Sequence, residues 1–251
     1  MKLEIIGSVN SGVCIIFSDR KKVWIDFVHD LKTPLWPTVS DEMWETIKGD
    51  SALYPPDIVL FTHVHPDHYS KKKTEELLKD HPGTPVILPK GATYSSYFKR
   101  EFSADDLSGA DLVSGETAER TFGDLTVLFT KSLHSGKEYV DTPHYCIELK
   151  YKGKSIFISG DAKLSSEELC DRLEFVKADL AVMNFPWASV SKGREILSDT
   201  LKPSHLLLVH LPDQKDDPFH YMDSAENGAG LLDLPDIRLM RRPFQKEVFD
   251  L

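Results

Sequence analysis

The stretch Asp57-Ile58-Val59-Leu60-Phe61-Thr62-His63-Val64-His65-Pro66-Asp67-His68 sets an apolar run directly before three imidazoles and a carboxylate. A short apolar run with β-branched members reads as a buried strand. The polar run then stands at that strand's carboxyl end. Neutral imidazole and carboxylate are the usual ligands of zinc and similar first-row ions, and histidines two apart on an extended segment project to the same side. His63 and His65 are therefore expected to share one ion. Pro66 bends the chain, so Asp67 and His68 face a second position beyond it.

Outward from this stretch, the strand and helix signals alternate. Before it, Lys2 to Ile6, Val13 to Phe17 and Lys22 to Phe27 read as a meander of strands, followed by a short helix from Asp41 to Ile47 capped by Ser40. After it come helix Ser70 to Lys79, strand Pro85 to Leu88 and helix Ala92 to Arg100. The middle returns to antiparallel strands at Leu125 to Thr130, Tyr145 to Tyr151 and Ser155 to Ser159, with a turn at Lys152-Gly153-Lys154. Helix Ser165 to Leu173, strand Asp179 to Met183, helix Ser189 to Thr200 and strand His205 to Val209 resume the alternation. Two β-rich sheets flanked by helices follow from this order, an α/β four-layer αββα sandwich. With no repeat or linker, residues 1–251 are expected to form one domain.

His134, Asp161 and His210 each stand at or just past the carboxyl end of one of these strands, the edge where layered α/β proteins gather ligands. They are the expected further metal ligands. His205 lies on the same strand as His210, about 16 Å away at about 3.3 Å per residue and on the opposite face, so it is read as structural.

Composition narrows the function. The chain has 251 residues, 41% hydrophobic, and its 30 Lys and Arg against 40 Asp and Glu give a net charge of -10, which repels phosphate backbones. Nucleic acid is not the expected partner; a small-molecule substrate is. No apolar run approaches the roughly 18 to 20 residues of a membrane helix. Cys14, Cys146 and Cys170 are far apart and read as ordinary buried residues of a reducing compartment. With no secretory type of leader, the expected location is the cytoplasm. Oligomeric state is not legible.

The motif His-x-His-x-Asp-His at His63, His65, Asp67 and His68 resembles the signature of the metallo-β-lactamase superfamily, and the likeness runs along nearly the whole chain. Asp26 in Trp24-Ile25-Asp26-Phe27 is similar to that family's early strand-end aspartate, and Asp161 in Ser159-Gly160-Asp161-Ala162 to its bridging aspartate. The resemblance implies that His63, His65 and His134 hold one ion and Asp67, His68 and His210 a second, with Asp161 between them and Asp26 steadying a ligand imidazole. It implies hydrolysis by a hydroxide bridging two divalent ions, zinc by default with manganese or iron as alternatives, on an ester, lactone, amide or phosphodiester bond. Asp67 could also take the proton of the attacking water. His134-Ser135 and the Tyr145-to-Asp161 run look like the branch of ascorbate-phosphate lactonase-like and acyl-ethanolamide phospholipase-like enzymes. The chain departs from that branch at Gly7-Ser8 and at Asn184-Phe185-Pro186-Trp187. Alternatives are a nuclease of the superfamily and a non-catalytic metal-binding or ligand-sensing protein that keeps the fold.

Asn184 and Trp187 follow a strand whose end faces the metals and are expected to line the substrate pocket. His220, ten residues past His210, is the candidate general acid, set against a solvated-loop reading shared with His29 and His144. Lys71-Lys72-Lys73 reads as the solvated face of a helix.

Overall fold

The computed structural model describes residues 1–33, 35–164 and 166–251, with the Gln214 side chain also left aside. Two seven-stranded sheets dominate it. The first runs in the order Lys246–Asp250, Lys2–Gly7, Val13–Phe17, Lys22–Ile25, Ile58–Leu60, Val86–Pro89, Ala110–Val113. The second runs Ile237–Leu239, His205–Val209, Leu180–Asn184, Lys154–Ile158, Tyr145–Tyr151, Leu125–Lys131, Thr117–Phe122. Each is antiparallel over one half and parallel over the other.

Alternation along the strands makes the layers, because successive side chains point to opposite faces. Ile5, Ile15, Ile25 and Leu60 pack with Val127, Ile147, Ile158 and Val182 in one cluster between the sheets. Trp24, Val59 and Phe61 point outward and are covered by Trp44, Ile47 and Leu77 of two helices, Asp41–Gly49 and Lys71–Asp80. On the far side Phe157, Met183, Leu206 and Leu208 meet Leu173, Trp187, Leu197 and Ala225. The expected αββα sandwich is therefore present: helices, two sheets, helices.

Serine caps fix two helix starts: Ser40 Oγ accepts from the Met43 N–H and Ser70 Oγ from the Lys73 N–H, each at 3.1 Å. Lys73 departs from the solvated-face reading, since it is buried and its ammonium donates to Asp41 at 3.1 Å. The expected helix at Ala92 to Arg100 is instead a hairpin of Ala92–Ser95 with Arg100–Ser103. Its Thr, Tyr and Phe content favours a pleated surface over a helix. The expected helix Ser189 to Thr200 is broken as well. Short helices Pro186–Ser189 and Ser191–Glu195 meet at an extended Val190 and run into a π-helical turn, Ile196–Leu201. Gly193 allows the fold-back: a Cβ there would lie 2.3 Å from the Trp187 carbonyl oxygen. Helix Glu167–Leu173 is found, capped by Ser166, while Ser165 lies outside the described residues. The sequence reading lacked strands Ala110–Val113, Thr117–Phe122, Ile237–Leu239 and Lys246–Asp250, and helix Tyr221–Ala229. No helix among the described residues is long and apolar enough to cross a membrane.

Candidate metal centre

The strand Ile58–Leu60 is parallel to both its neighbours, and Phe61 extends the pairing by donating to the Ile87 carbonyl at 3.0 Å. The chain then leaves the sheet and closes a turn in which the N–H groups of His68 and Tyr69 both donate to the His65 carbonyl, at 3.0 and 2.9 Å. That turn folds His63, His65, Asp67 and His68 toward one point, all of them buried. From the second sheet, His134 pairs with Ala162 in an isolated bridge, which brings it beside Asp161, and His210 follows strand His205–Val209. His210 sits in the left-handed region at φ 61°, held there by its N–H donating to the Asn10 carbonyl at 3.0 Å. Gly160 has to be glycine. Its φ is +50°, and a Cβ would come within 2.7 Å of His144 Nε2 and 2.8 Å of Thr62.

The protons of the imidazoles can be followed through their partners. Asp26 Oδ1 accepts from the Thr62 N–H at 2.8 Å, and its Oδ2 accepts from Thr62 Oγ1 at 2.6 Å and faces His68 Nδ1 at 2.9 Å. With the Thr62 hydroxyl proton given to Asp26, His63 Nδ1 at 3.0 Å must donate to that hydroxyl. His134 Nδ1 donates to the Ser135 carbonyl in the same way. His68, His63 and His134 are thus each oriented with Nδ1 protonated and the Nε2 lone pair free, the tautomer a metal needs.

Those free nitrogens converge. His63 Nε2 and His134 Nε2 face each other at 3.3 Å, two lone pairs that repel without a cation or proton between them. Asp161 Oδ2 stands 3.4 Å from His68 Nε2, 3.6 Å from His134 Nε2 and 3.4 Å from His210 Nε2. Asp67 Oδ2 is 3.7 Å from His210 Nε2 and 4.0 Å from His68 Nε2. The Nε2 atoms of His65, His68 and His210 are buried and have no hydrogen-bond partner. Ligand atoms lie within 4.8 Å of one another in the groups His63, His65, His134 and Asp67, His68, His210, and also in Asp26, His63, His68. Asp26 is already engaged by Thr62 and by the Nδ1 side of His68, which makes the third group a support for the other two.

Electrostatics hold His63, His65 and His134 in their neutral, metal-binding form, whereas His68 favours a proton that a cation would have to displace. Burial pushes His63 and His134 down from the usual histidine range, and His65 down to about 3. Burial works against the Asp161 and Asp67 carboxylates, yet the facing His210 and His68 imidazoles outweigh it and hold both carboxyls below the ordinary range. His68 is pushed upward, because the Asp161 and Asp26 carboxylates overcome the opposing effect of burial. An unpaired cluster of this kind is costly in a low-dielectric interior, and divalent cations would relieve it.

Of the other expected residues, Asn184 is buried against the cluster, its Nδ2 at 3.4 Å from Asp161 Oδ1 and its own Oδ1 without a partner. Trp187 does not line a pocket. It is fully buried among Phe157, Leu197 and Ala225 in the outer core of the second sheet, because the chain turns into helix Pro186–Ser189 and carries the indole away from the strand end. His220 is not brought to the cluster either. Its side chain is 79% exposed and pairs with Asp223 at 3.2 Å, at the head of helix Tyr221–Ala229. His29 and His144 depart from the solvated reading: both are fully buried, and the His144 ring centre lies 5.1 Å from that of His63. His205 pairs with Asp236 at 2.7 Å, away from the ligands.

Two residues near the cluster went unread in the sequence. Trp36 sets its ring edge against His210, centres 4.2 Å apart, and Tyr139 packs on His65 and His134 at 4.7 and 5.2 Å. Trp36 comes from a loop and Tyr139 from the single 3-10 turn Lys137–Tyr139, both too short for periodicity to mark them.

Comparison with known proteins agrees with this fold. Residues 36–210 match the family model described as "Beta-lactamase superfamily domain". Among solved structures, the chain is similar to Igni18, a novel metallo hydrolase from Ignicoccus hospitalis, at 16% identity over 100% of both chains and a TM-score of 0.62. It is similar to CmlA, a diiron β-hydroxylase from Streptomyces venezuelae, at 14% identity over 100% of this chain and 54% of that one, TM-score 0.63. It is similar to Zn(2+)-bound PqqB from Methylobacterium extorquens at 11% identity over 100% of both chains, TM-score 0.56. At these identities the likeness is one of fold. No curated protein matches. With the family model covering well over half of its length and the motif histidines gathered at the strand ends, the chain belongs to the beta-lactamase superfamily.

Proposed function

We propose that the protein is a metal-dependent hydrolase that cleaves an ester, lactone, amide or phosphodiester bond in a small-molecule substrate. The observation that carries this reading is the convergence of buried, unpartnered imidazole nitrogens on Asp161 Oδ2, which fits divalent cations and little else. His63, His65 and His134 would hold one ion, and Asp67, His68 and His210 a second, with Asp161, close to His68, His134 and His210, shared. When bound, such a pair supplies an activated water at neutral pH and polarises the scissile group. The zinc in the name of PqqB and the diiron centre in that of CmlA both suit this donor set; zinc is the default, with iron or manganese as alternatives.

The chain's own residues do the rest. Asp26, through Thr62 and His68 Nδ1, fixes ring orientation. Asp67 holds a carboxylate oxygen where a proton released by attacking water can be taken up. Asn184 offers a buried amide beside Asp161, placed to orient a substrate oxygen. Because the ligands come from both sheets, residues 1–251 would act as one domain, in the cytoplasm. The lactonase-like and phospholipase-like branch remains the proposed kinship.

Elemental analysis of protein prepared without chelator, followed by a turnover screen on generic ester, lactone and bis-aryl phosphodiester substrates, tests the reading. Two ions per chain and turnover abolished by chelator are expected. Metal bound without turnover on any class would leave a binding protein.

A further inference from the structure

Aromatic rings form a file from the surface to the metal centre. Phe219 is 61% exposed, a large apolar side chain that packing of the fold does not account for. Its ring lies 5.5 Å from that of Tyr221 at an angle of 30°, and Tyr221 stacks on Trp36 at 6.1 Å and 13°. Trp36 in turn touches His210 edge-on at 4.2 Å. Phe185 backs the file from the core side, 5.0 Å from Tyr221. Trp36 is half-buried, whereas the other three tryptophans, Trp24, Trp44 and Trp187, are buried. Beside the file, a recess of about 180 Å³ opens at Trp36, lined also by Lys32, Leu35, Pro37, Thr38, Asp213 and Asp216. A cavity of about 150 Å³ is enough to hold one benzene ring.

We propose that Trp36, Tyr221 and Phe219 are specificity-determining residues that receive a planar aromatic group of the substrate and lay its scissile end at His210. This rests on the hydrolase reading. The near-parallel setting of Tyr221 and Trp36 offers ring faces and edges, which suit offset or edge-to-face contact with another ring. A long aliphatic chain would need a deeper aliphatic channel, and the small recess at Trp36 is short and flanked by Lys32 and Asp213. The file joins two segments distant in sequence, Trp36 from one and Phe219 and Tyr221 from the other, which meet at the Trp36–Tyr221 stack and at a Lys32–Asp216 ion pair of 3.9 Å. Neither contributes a metal ligand.

Calorimetric titration of the metal-loaded protein with 2-naphthylmethylphosphonate, n-octylphosphonate and methylphosphonate tests the assignment. The naphthyl compound is expected to bind about tenfold more tightly than the octyl one. Phe219→Ala and Trp36→Leu should each weaken it by about threefold to tenfold while methylphosphonate changes by less than about twofold. An octyl compound that binds as tightly as the naphthyl one overturns the proposal, as does no measurable binding of the naphthyl compound. Trp36→Leu weakening all three alike would mean that Trp36 acts through His210. Phe219→Ala, at an exposed position, then decides, and an unchanged naphthyl affinity there overturns the proposal. The two readings fail separately. A Phe219-dependent ring preference without hydrolysis removes the hydrolase reading alone, and turnover without ring preference removes this one alone.

Discussion

The two sheets deliver the same kinds of group to the centre by opposite means. The first sheet spends one turn on it: His63, His65, Asp67 and His68 leave a single strand end within six residues. The second sheet sends one residue from each of three separate places, His134, Asp161 and His210. A dense turn specifies its own geometry through local hydrogen bonds, such as those onto the His65 carbonyl. Scattered ligands depend on sheet register, so they are right only if the whole sheet is. The difference teaches that one half of this centre is a local property of the sequence and the other a property of the fold.

Asp161 is the sharpest place to break that comparison, because its Oδ2 faces three imidazoles at 3.4 to 3.6 Å, one from the first sheet and two from the second. Asp161→Ala should reduce metal content below two ions per chain and lower turnover by at least about a hundredfold, with the fold retained. His205→Ala, at the amino end of the strand that leads to His210, should leave metal content unchanged, as its ring pairs with Asp236. Elemental analysis and circular dichroism read both. An empty site in the His205 variant and a full one in the Asp161 variant would mean that the second sheet is out of register.

The next effect is smaller and lies within the local half. Asp26 touches no free ligand nitrogen; it holds Thr62 and the Nδ1 of His68. Removing such a support costs about tenfold to a hundredfold in metal affinity. Asp26→Ala should weaken binding by that much, measured by competition with a chromophoric chelator, with stoichiometry still two at saturation. A loss confined to one ion would show that His68 feels the change and His63, reached only through Thr62, does not.

How much of this was legible follows the same division. The His63 turn is visible in the sequence because ligand chemistry is compressed into six residues after an apolar strand. His134, Asp161 and His210 are visible only through strand ends, which the apolar runs before them happened to mark. Trp36 and Tyr139 carry no such mark, since a loop and a single 3-10 turn bring them to the centre without periodicity. Trp187 misled because a residue three places past a strand end was read as still facing outward from it, whereas Pro186 starts a helix there and buries the indole. The segment of the hairpin Ala92–Ser95 and Arg100–Ser103 has a length and polar content that suit a helix; the pairs that decide it, Thr93 with Phe102 and Tyr94 with Glu101, act across the turn.

A pH test separates buried imidazoles outside the ligand set from those within it. Burial pushes His29 down to about 4, so the folded state keeps it neutral where the unfolded chain, at about 6.5, would protonate it. Its contribution to stability is then fully present above pH 6.5 and is lost as the pH falls from there through about 4. In chelator-treated protein, His29→Gln should flatten the pH dependence of urea stability in this window by up to about one proton. An unchanged slope would place the dependence on His144 and the ligand groups instead.

The smallest effect is expected at His220, and it marks where the comparison ends. The sequence put this residue beside His210 as a general acid, ten places along. The chain between them turns back to the surface instead: His220 takes the left-handed conformation at φ 55° as helix Tyr221–Ala229 begins, and its ring points to Asp223. A ring 79% exposed has no shielded route to a leaving group at the buried cluster. His220→Ala should therefore change turnover by less than about twofold and leave both limbs of the pH–rate profile in place. The helix start should tolerate it, because no side-chain bond of His220 caps that helix; Asp217 accepts from the N–H groups of Tyr221 and Met222 instead. Loss of the high-pH limb in this variant would mean that the segment from Asp213 to His220 folds over the centre during turnover, and Phe219 with it.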